Sequence, residues 1–317
     1  MNRVTLKAVF TTASLAAALV FAASTSRAGT LVAGYTNAAV EEHGLGFYND
    51  VLVQTGSAVT PRAAIGLAAG GGYLYTTTSS PMTNYVERYD GAGAFLNARP
   101  YPDFFDPGPL AFGDGRLFLG FAGLGLGGAF YGVGDAPADL SLGATFEALI
   151  DSAPAGLAIG DGSLFVSYES KLLRYGLDGA YQSGYDFGSG ISLGALTFGA
   201  GQLFAAFEGP SGFGYASVDP DTYLAGGALV STTSKVRGLA FGDGAVFASS
   251  NTGITKYDLD GNLLANLETG RFVIGPLAYI SDASAAPEPT AWALMILGFS
   301  AAGAALRQRR RILIRHG

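Results

Sequence analysis

The stretch Gly156-Leu157-Ala158-Ile159-Gly160-Asp161-Gly162-Ser163-Leu164-Phe165-Val166-Ser167-Tyr168 decides the fold. Its first apolar run, Leu157-Ala158-Ile159, is too short for a helix, and Leu164 to Tyr168 is rich in residues that favour a pleated strand. Between them, Gly160-Asp161-Gly162 offers neighbouring residues able to take positive φ, which a tight hairpin turn demands. The stretch reads as a β-hairpin.

The hairpin recurs along the chain. Other copies are Gly66-Leu67-Ala68-Ala69-Gly70-Gly71-Gly72-Tyr73-Leu74-Tyr75 and Pro109-Leu110-Ala111-Phe112-Gly113-Asp114-Gly115-Arg116-Leu117-Phe118. Two more are Ala195-Leu196-Thr197-Phe198-Gly199-Ala200-Gly201-Gln202-Leu203-Phe204 and Gly238-Leu239-Ala240-Phe241-Gly242-Asp243-Gly244-Ala245-Val246-Phe247. A last copy, Pro276-Leu277-Ala278-Tyr279-Ile280, stops after its first strand. The Leu positions are 43, 47, 39, 43 and 38 residues apart. Later in the repeat come Val86-Glu87-Arg88-Tyr89-Asp90-Gly91, Leu173-Arg174-Tyr175-Gly176-Leu177-Asp178-Gly179 and Thr255-Lys256-Tyr257-Asp258-Leu259-Asp260-Gly261-Asn262, with Ser217-Val218-Asp219-Pro220-Asp221 as a divergent version. Each reads as a third strand ending in a turn, and Ala180-Tyr181 or Leu263-Leu264 then begins a fourth. Two hairpins per period of this length make one blade of a β-propeller.

The ends complete the ring. The N-terminal segment offers Leu31 to Tyr35, Gly46 to Tyr48 and Val51 to Val53 as strands, and the truncated copy supplies one more near Leu277 to Ile280. Together they predict a mixed closing blade, which hides the edges that an open sheet would expose. The expectation is an all-β, six-bladed β-propeller over residues 29–282, flanked by two helical address segments. The pattern is similar to the NHL and SMP-30-like group of propellers, a likeness of strands and turns that transfers no functional residue.

Composition limits the chemistry. The 317 residues include no Cys, which excludes a disulfide framework, a thiolate zinc site and a Cys nucleophile. Only two His are present, His43 and His316. A hydrophobic share of 49% with 14% charged residues argues against disorder. Residues 29–289 hold all 25 acidic residues and 10 of the 18 basic ones, a net charge near −15, so nucleic acid is not an expected partner.

Asp114, Asp161 and Asp243 invite calcium, but one Asp per blade spreads them round the ring, whereas calcium needs six to eight converging oxygens. They read as turn residues, as does Asp258-Leu259-Asp260-Gly261-Asn262, which no helix flanks. Arg88, Arg174 and Lys256 recur at one place in the repeat and read as structural. Glu41, Glu42 and His43 are metal-ligand types, yet neighbours on a strand point to opposite faces; a solvated loop is expected there. Gly70-Gly71-Gly72 and Gly123-Leu124-Gly125-Leu126-Gly127-Gly128 lack the strand–helix context of a phosphate loop and read as turns. No catalytic residue, cofactor or metal site is assigned.

The two ends read as addresses. Arg3 and Lys7, an apolar stretch from Ala8 to Ala23, and Ser26-Arg27-Ala28 make a secretory signal over 1–28, with cleavage expected between Ala28 and Gly29. After a linker, 283–290, the apolar run 291–306 predicts a single membrane helix, and the basic tail 307–317 would stay on the cytoplasmic side. Pro287-Glu288-Pro289, then Trp292-Ala293, an apolar helix and Arg307, Arg309, Arg310 and Arg311 resemble the PEP-CTERM sorting signal in its PEPxxWA form. The tail departs from that pattern by running on through Ile312 to Gly317. The resemblance implies an exported protein of the cell envelope, processed by an exosortase and associated with extracellular polysaccharide. The expected role is a noncatalytic binding or structural module. The alternative is a glycan hydrolase or lyase using carboxylates in the propeller channel.

Overall fold

The computed structural model describes residues 29–281 apart from 38–40, 81–82, 102–104, 124–126, 134–139, 141, 151 and 270–272; the side chains of 105, 123, 127–133, 142–150 and 273–274 are also left aside. The expected signal segment and the sorting helix, 291–306, lie outside the described residues. Among the described residues no helix is long and apolar enough to cross a membrane.

The described residues form twenty-four strands in six four-stranded antiparallel sheets. They open with β1 (Thr30–Asn37), β2 (Glu42–Tyr48) and β3 (Gln54–Thr60). Blade I is β4 (Ala64–Gly70), β5 (Tyr73–Ser79), β6 (Asn84–Asp90) and β7 (Phe95–Tyr101). Blade II is β8 (Phe105–Gly113), β9 (Arg116–Gly123), β10 (Gly127–Val133) and β11 (Leu142–Ile150). Blade III is β12 (Gly156–Gly160), β13 (Ser163–Tyr168), β14 (Lys171–Gly176) and β15 (Tyr181–Asp186). Blade IV is β16 (Ser192–Gly199), β17 (Gln202–Gly209), β18 (Gly212–Val218) and β19 (Ala225–Thr232). Blade V is β20 (Gly238–Gly242), β21 (Ala245–Ser249), β22 (Gly253–Tyr257) and β23 (Leu263–Glu268). The last strand, β24 (Val273–Ile280), joins β1, β2 and β3 in the order β24-β1-β2-β3.

The first strand of each blade lies innermost. Taken in turn, β4, β8, β12, β16, β20 and β24 each neighbour the next, and β24 returns to β4, so the ring closes. Sheets arranged in this way round one axis form a β-propeller. The mixed closing sheet has the composition expected from the sequence, with β24 paired antiparallel to β1. Its third strand lies elsewhere than expected. Val51 to Val53 form a turn, in which Leu52 takes φ 61° and Asn49 bonds to both Leu52 and Val53, and β3 starts only at Gln54. The Asn49 side chain, which accepts from the N–H groups of Val51 and Val53, wins these residues for the turn despite their β propensity.

The hairpin turns follow the rule that suggested them. Asp114-Gly115, Asp161-Gly162, Ala200-Gly201 and Asp243-Gly244 all carry positive φ at both residues, the requirement of a type I′ turn. Between blades, an aromatic ring from one second strand stacks on the next inner strand. The stacked pairs are Tyr75–Phe112, Phe165–Phe198, Phe204–Phe241 and Phe247–Tyr279, with centroids 5.7, 5.9, 6.0 and 5.6 Å apart.

Candidate functional site

The channel is the first place to look for convergent chemistry. One end, about 150 Å³, is lined by Leu-Ala-Phe-type residues of all six inner strands, such as Leu157, Ala158 and Ile159. The other, about 60 Å³, adds Pro109, Pro276 and Arg237. No Asp or Glu lines either end among the described residues. Both volumes fall below the ~300 Å³ at which small-molecule pockets usually begin.

Polar groups converge instead at the seam where the closing sheet meets blade V. A cleft of about 430 Å³ lies there, lined by Tyr35, Glu42, Tyr48, Gln54 and Ser57 from the closing sheet and by Leu267, Glu268 and Thr269 from blade V. Its floor follows from strand alternation in Glu42-His43-Gly44-Leu45-Gly46-Phe47-Tyr48. Leu45 and Phe47 point away, into the apolar cluster shared with Leu67, Leu74 and Tyr89 of blade I. Glu42, Gly44, Gly46 and Tyr48 share the other face. A Cβ on Gly44 would lie 2.5 Å from the Tyr35 hydroxyl, and one on Gly46 would lie 2.7 Å from that of Tyr48. The two glycines therefore make room for both phenol groups.

The Tyr35 hydroxyl donates to Glu42 Oε1 at 3.1 Å. Burial, and then that bond to a carboxylate, hold the Tyr35 pKa above its ordinary value; burial alone does so for Tyr48. Both phenols thus keep their protons at neutral pH. Tyr48 is only 4% exposed, and its hydroxyl has no hydrogen-bond partner among the described residues. The cleft combines aromatic walls, two carboxylates, an amide and two aliphatic hydroxyls, and among the described residues no Lys, Arg or His lines it.

The residues singled out by sequence are dispersed. Glu42 reaches the cleft, but His43, on the opposite face of β2, pairs with Thr36 Oγ1 through Nδ1 at 3.2 Å. The solvated loop expected there is corrected to a half-buried strand for Glu42 and His43, because β2 begins at Glu42. Arg174 clasps blade IV through Asp221 Oδ1 at 2.6 Å and lies over the Phe165 ring. Lys256 clasps the closing sheet by donating to the Asp50 carbonyl at 2.8 Å, and Arg88 lies over the Tyr73 ring. Asp258 accepts from the N–H groups of Asp260 and Asn262 at 3.0 and 2.8 Å, so Asp258-Leu259-Asp260-Gly261-Asn262 is a self-capped turn. Gly71 and Gly72 form a turn at positive φ, whereas Gly123 ends β9 and Gly127 and Gly128 open β10.

Gly29 is buried, and its N–H donates to Asp243 Oδ2 at 3.2 Å. Ala28 and the residues expected to form a sorting signal, Pro287, Glu288, Pro289, Trp292, Ala293, Arg307, Arg309, Arg310 and Arg311, lie outside the described residues. The described chain begins beside the Asp243 turn and ends after Ile280, which pairs with Thr30, so both ends stand at the same face of the ring.

Sequence reasoning did not single out Tyr35, Tyr48, Gln54, Ser57, Glu268 or Thr269. Only the alternating glycines of Gly44-Leu45-Gly46 hinted that one face of β2 lacks side chains.

No family model matches this chain, and no curated protein matches it. Solved structures do. A chain of a nidogen/laminin complex superposes with TM-score 0.61 at 12% identity, covering 80% of this chain and 98% of that one. TolB from Acinetobacter baumannii superposes with TM-score 0.62 at 12% identity, covering 80% of this chain and 67% of that one. A protein of unknown function from Bacteroides caccae gives TM-score 0.56 at 12% identity, with coverage of 80% and 98%. The likeness is one of fold.

Proposed function

We propose that this chain is an exported β-propeller that acts as a noncatalytic binding module at the cell surface, with extracellular polysaccharide as its partner. The observation that carries the reading is the distribution of polar groups. Among the described residues the channel is lined by Leu, Ala and Phe without carboxylates, while mixed aromatic and polar side chains gather in a cleft at the rim. Such a cleft suits recognition by hydrogen bonds and ring contacts. Export and sorting rest on the signal expected over 1–28 and on the PEP-CTERM-like tail. An exosortase would process that tail, and helix 291–306 would hold the propeller at the membrane. On this reading the face bearing Gly29 and Ile280 lies toward the membrane and the opposite face toward the surroundings.

A glycan array probed with the full chain in detergent, with and without calcium, tests the reading. Binding to particular glycans without release of new reducing ends is expected. Cleavage of a bound glycan would move the protein to the hydrolase or lyase class, and silence on every glycan would remove polysaccharide as the partner.

A further inference from the structure

We infer that the cleft between the closing sheet and blade V binds a saccharide unit that carries no acidic group, and takes an amino sugar in preference to a neutral hexose. The inference rests on the polysaccharide-binding reading and names its site and sugar class. Its argument starts from what the cleft presents. Glu42 and Glu268 are acceptors only, Gln54 adds an amide, and Ser57 and Thr269 can accept as well as donate. Glu42 already accepts from Tyr35, Gln54 donates to the Gly56 carbonyl and Thr269 to the Thr252 carbonyl. What the lining still offers is chiefly acceptor capacity, and a ligand that uses it must bring donors. A pyranose ring does so with its hydroxyls, and its C–H faces can lie against a phenol ring.

Charge then selects among sugars. With two carboxylates and no basic side chain among the described residues of the lining, a uronic or sulfated unit meets repulsion there, whereas an ammonium meets attraction from both sides. Tyr35 and Tyr48 strengthen the preference, since an ammonium beside a phenol face gains a cation–π contact. The volume of about 430 Å³ accommodates one or two sugar rings.

The site is also prepared in a way that a packing defect is not. The corresponding face of blade I is filled: where the closing sheet has Gly44 and Gly46 before Tyr48, β6 has Tyr85 and Glu87 before Tyr89, closed over by Arg62. In the closing sheet that space is open, and the hydroxyl of the nearly buried Tyr48 stands in its wall without a partner among the described residues. That hydroxyl opens on the cleft, where a ligand can supply the partner it lacks.

The test is calorimetric titration of the full chain in detergent with a glucosamine tetramer, cellotetraose and tetragalacturonate. Binding is expected to be tightest for the glucosamine tetramer, weaker for cellotetraose and absent for tetragalacturonate. Glu268→Gln should weaken glucosamine binding about tenfold or more, the scale of a lost charge-assisted hydrogen bond, and change cellotetraose binding far less. Tyr48→Phe keeps the ring in place and should weaken both ligands, while Glu208→Gln, away from the cleft, should weaken neither. Melting temperatures of the variants close to that of the parent confirm that they fold. Sugar binding untouched by Glu268→Gln and Tyr48→Phe, or a preference for tetragalacturonate, would overturn this site and leave the polysaccharide reading standing. Failure of all three sugars to bind would overturn both.

Discussion

Glu87 is fully buried, and its carboxylate is the most demanding single group among the described residues. It accepts from Arg62 Nη1 at 2.7 Å and from the Tyr89 hydroxyl at 2.6 Å, while Arg62 also covers the Tyr85 ring. A buried ion pair adds little net stability, because desolvation offsets the Coulomb gain, but losing one partner leaves a charge stranded. Arg62→Ala is therefore expected to cost about 3 kcal/mol in chemical denaturation. Glu87→Gln, which retains hydrogen bonding, should cost clearly less. Ala200 is the opposite case. It holds φ 52° in a turn where the other hairpins place Asp or Gly, a conformation that disfavours a plain Cβ. Ala200→Asn should raise stability by about 0.5–1 kcal/mol, read as a higher urea midpoint at unchanged slope.

Among the elements, the Gly that closes each inner strand explains why the copies are so alike. A Cβ on Gly160 would fall inside the Phe198 ring; Gly70 meets Phe112, Gly113 meets Ile159, Gly199 meets Phe241 and Gly242 meets Tyr279 in the same way. The Gly of one blade thus receives the large side chain of the next. At the closing seam the sizes are exchanged: Ile280 stands at the Gly position and Ala69 at the aromatic one, both packed on the same cluster. Gly160→Ala should cost about 2–3 kcal/mol by overpacking, and Phe198→Leu in the same chain should recover part of it, as a double-mutant cycle would show. The Leu-Ala-Phe-Gly-Asp-Gly pattern was legible as hairpin and turn because turn chemistry is local. The reason for its first Gly was not, since that Gly answers a side chain of another blade. Val51 to Val53 were misread for a related reason: β propensity is a weak local preference, and the side chain of Asn49 overrode it.

In the whole molecule the six blades alternate. In blades I, III and V, a buried hydroxyl on the second strand reaches a carbonyl of the next inner strand: Thr77 to Gly108, Ser167 to Gly194 and Ser249 to Gly275, at 2.7, 2.6 and 2.6 Å. The corresponding residues of blades II and IV and of the closing sheet are Gly120, Ala206 and Gly34, which have no hydroxyl, so the ring is built from three two-blade units. Ser167→Ala and Ser249→Ala should each cost about 1 kcal/mol, and Ala206→Ser should bring no matching gain. The pH dependence is also a property of the whole. Asp258, held below its ordinary 3.8 first by the Asn262 side chain, and Asp219, held down by the backbone N–H of Thr222, contribute stability that is present above that value and lost as pH falls through their folded pKa. Burial pushes Tyr75 and Tyr175 up to about 12 from 10.0, so their contribution is complete below 10.0 and lost as pH rises beyond it. Calorimetry across pH should show a plateau between about 4 and 10 with losses on both sides.

The amino-acid sequence by itself determined the hairpins, their period and the sharing of the last blade between the two ends, because turn residues and strand patterns act over a few neighbours. The cleft was decided only by the tertiary structure. Tyr35, Glu42 and Tyr48 come from one end of the described chain and Glu268 and Thr269 from the other, and they face each other only when β24 pairs with β1 and the ring closes. No local rule reports which blades will be neighbours across that seam, so no local rule could place two carboxylates and two phenols in one cavity.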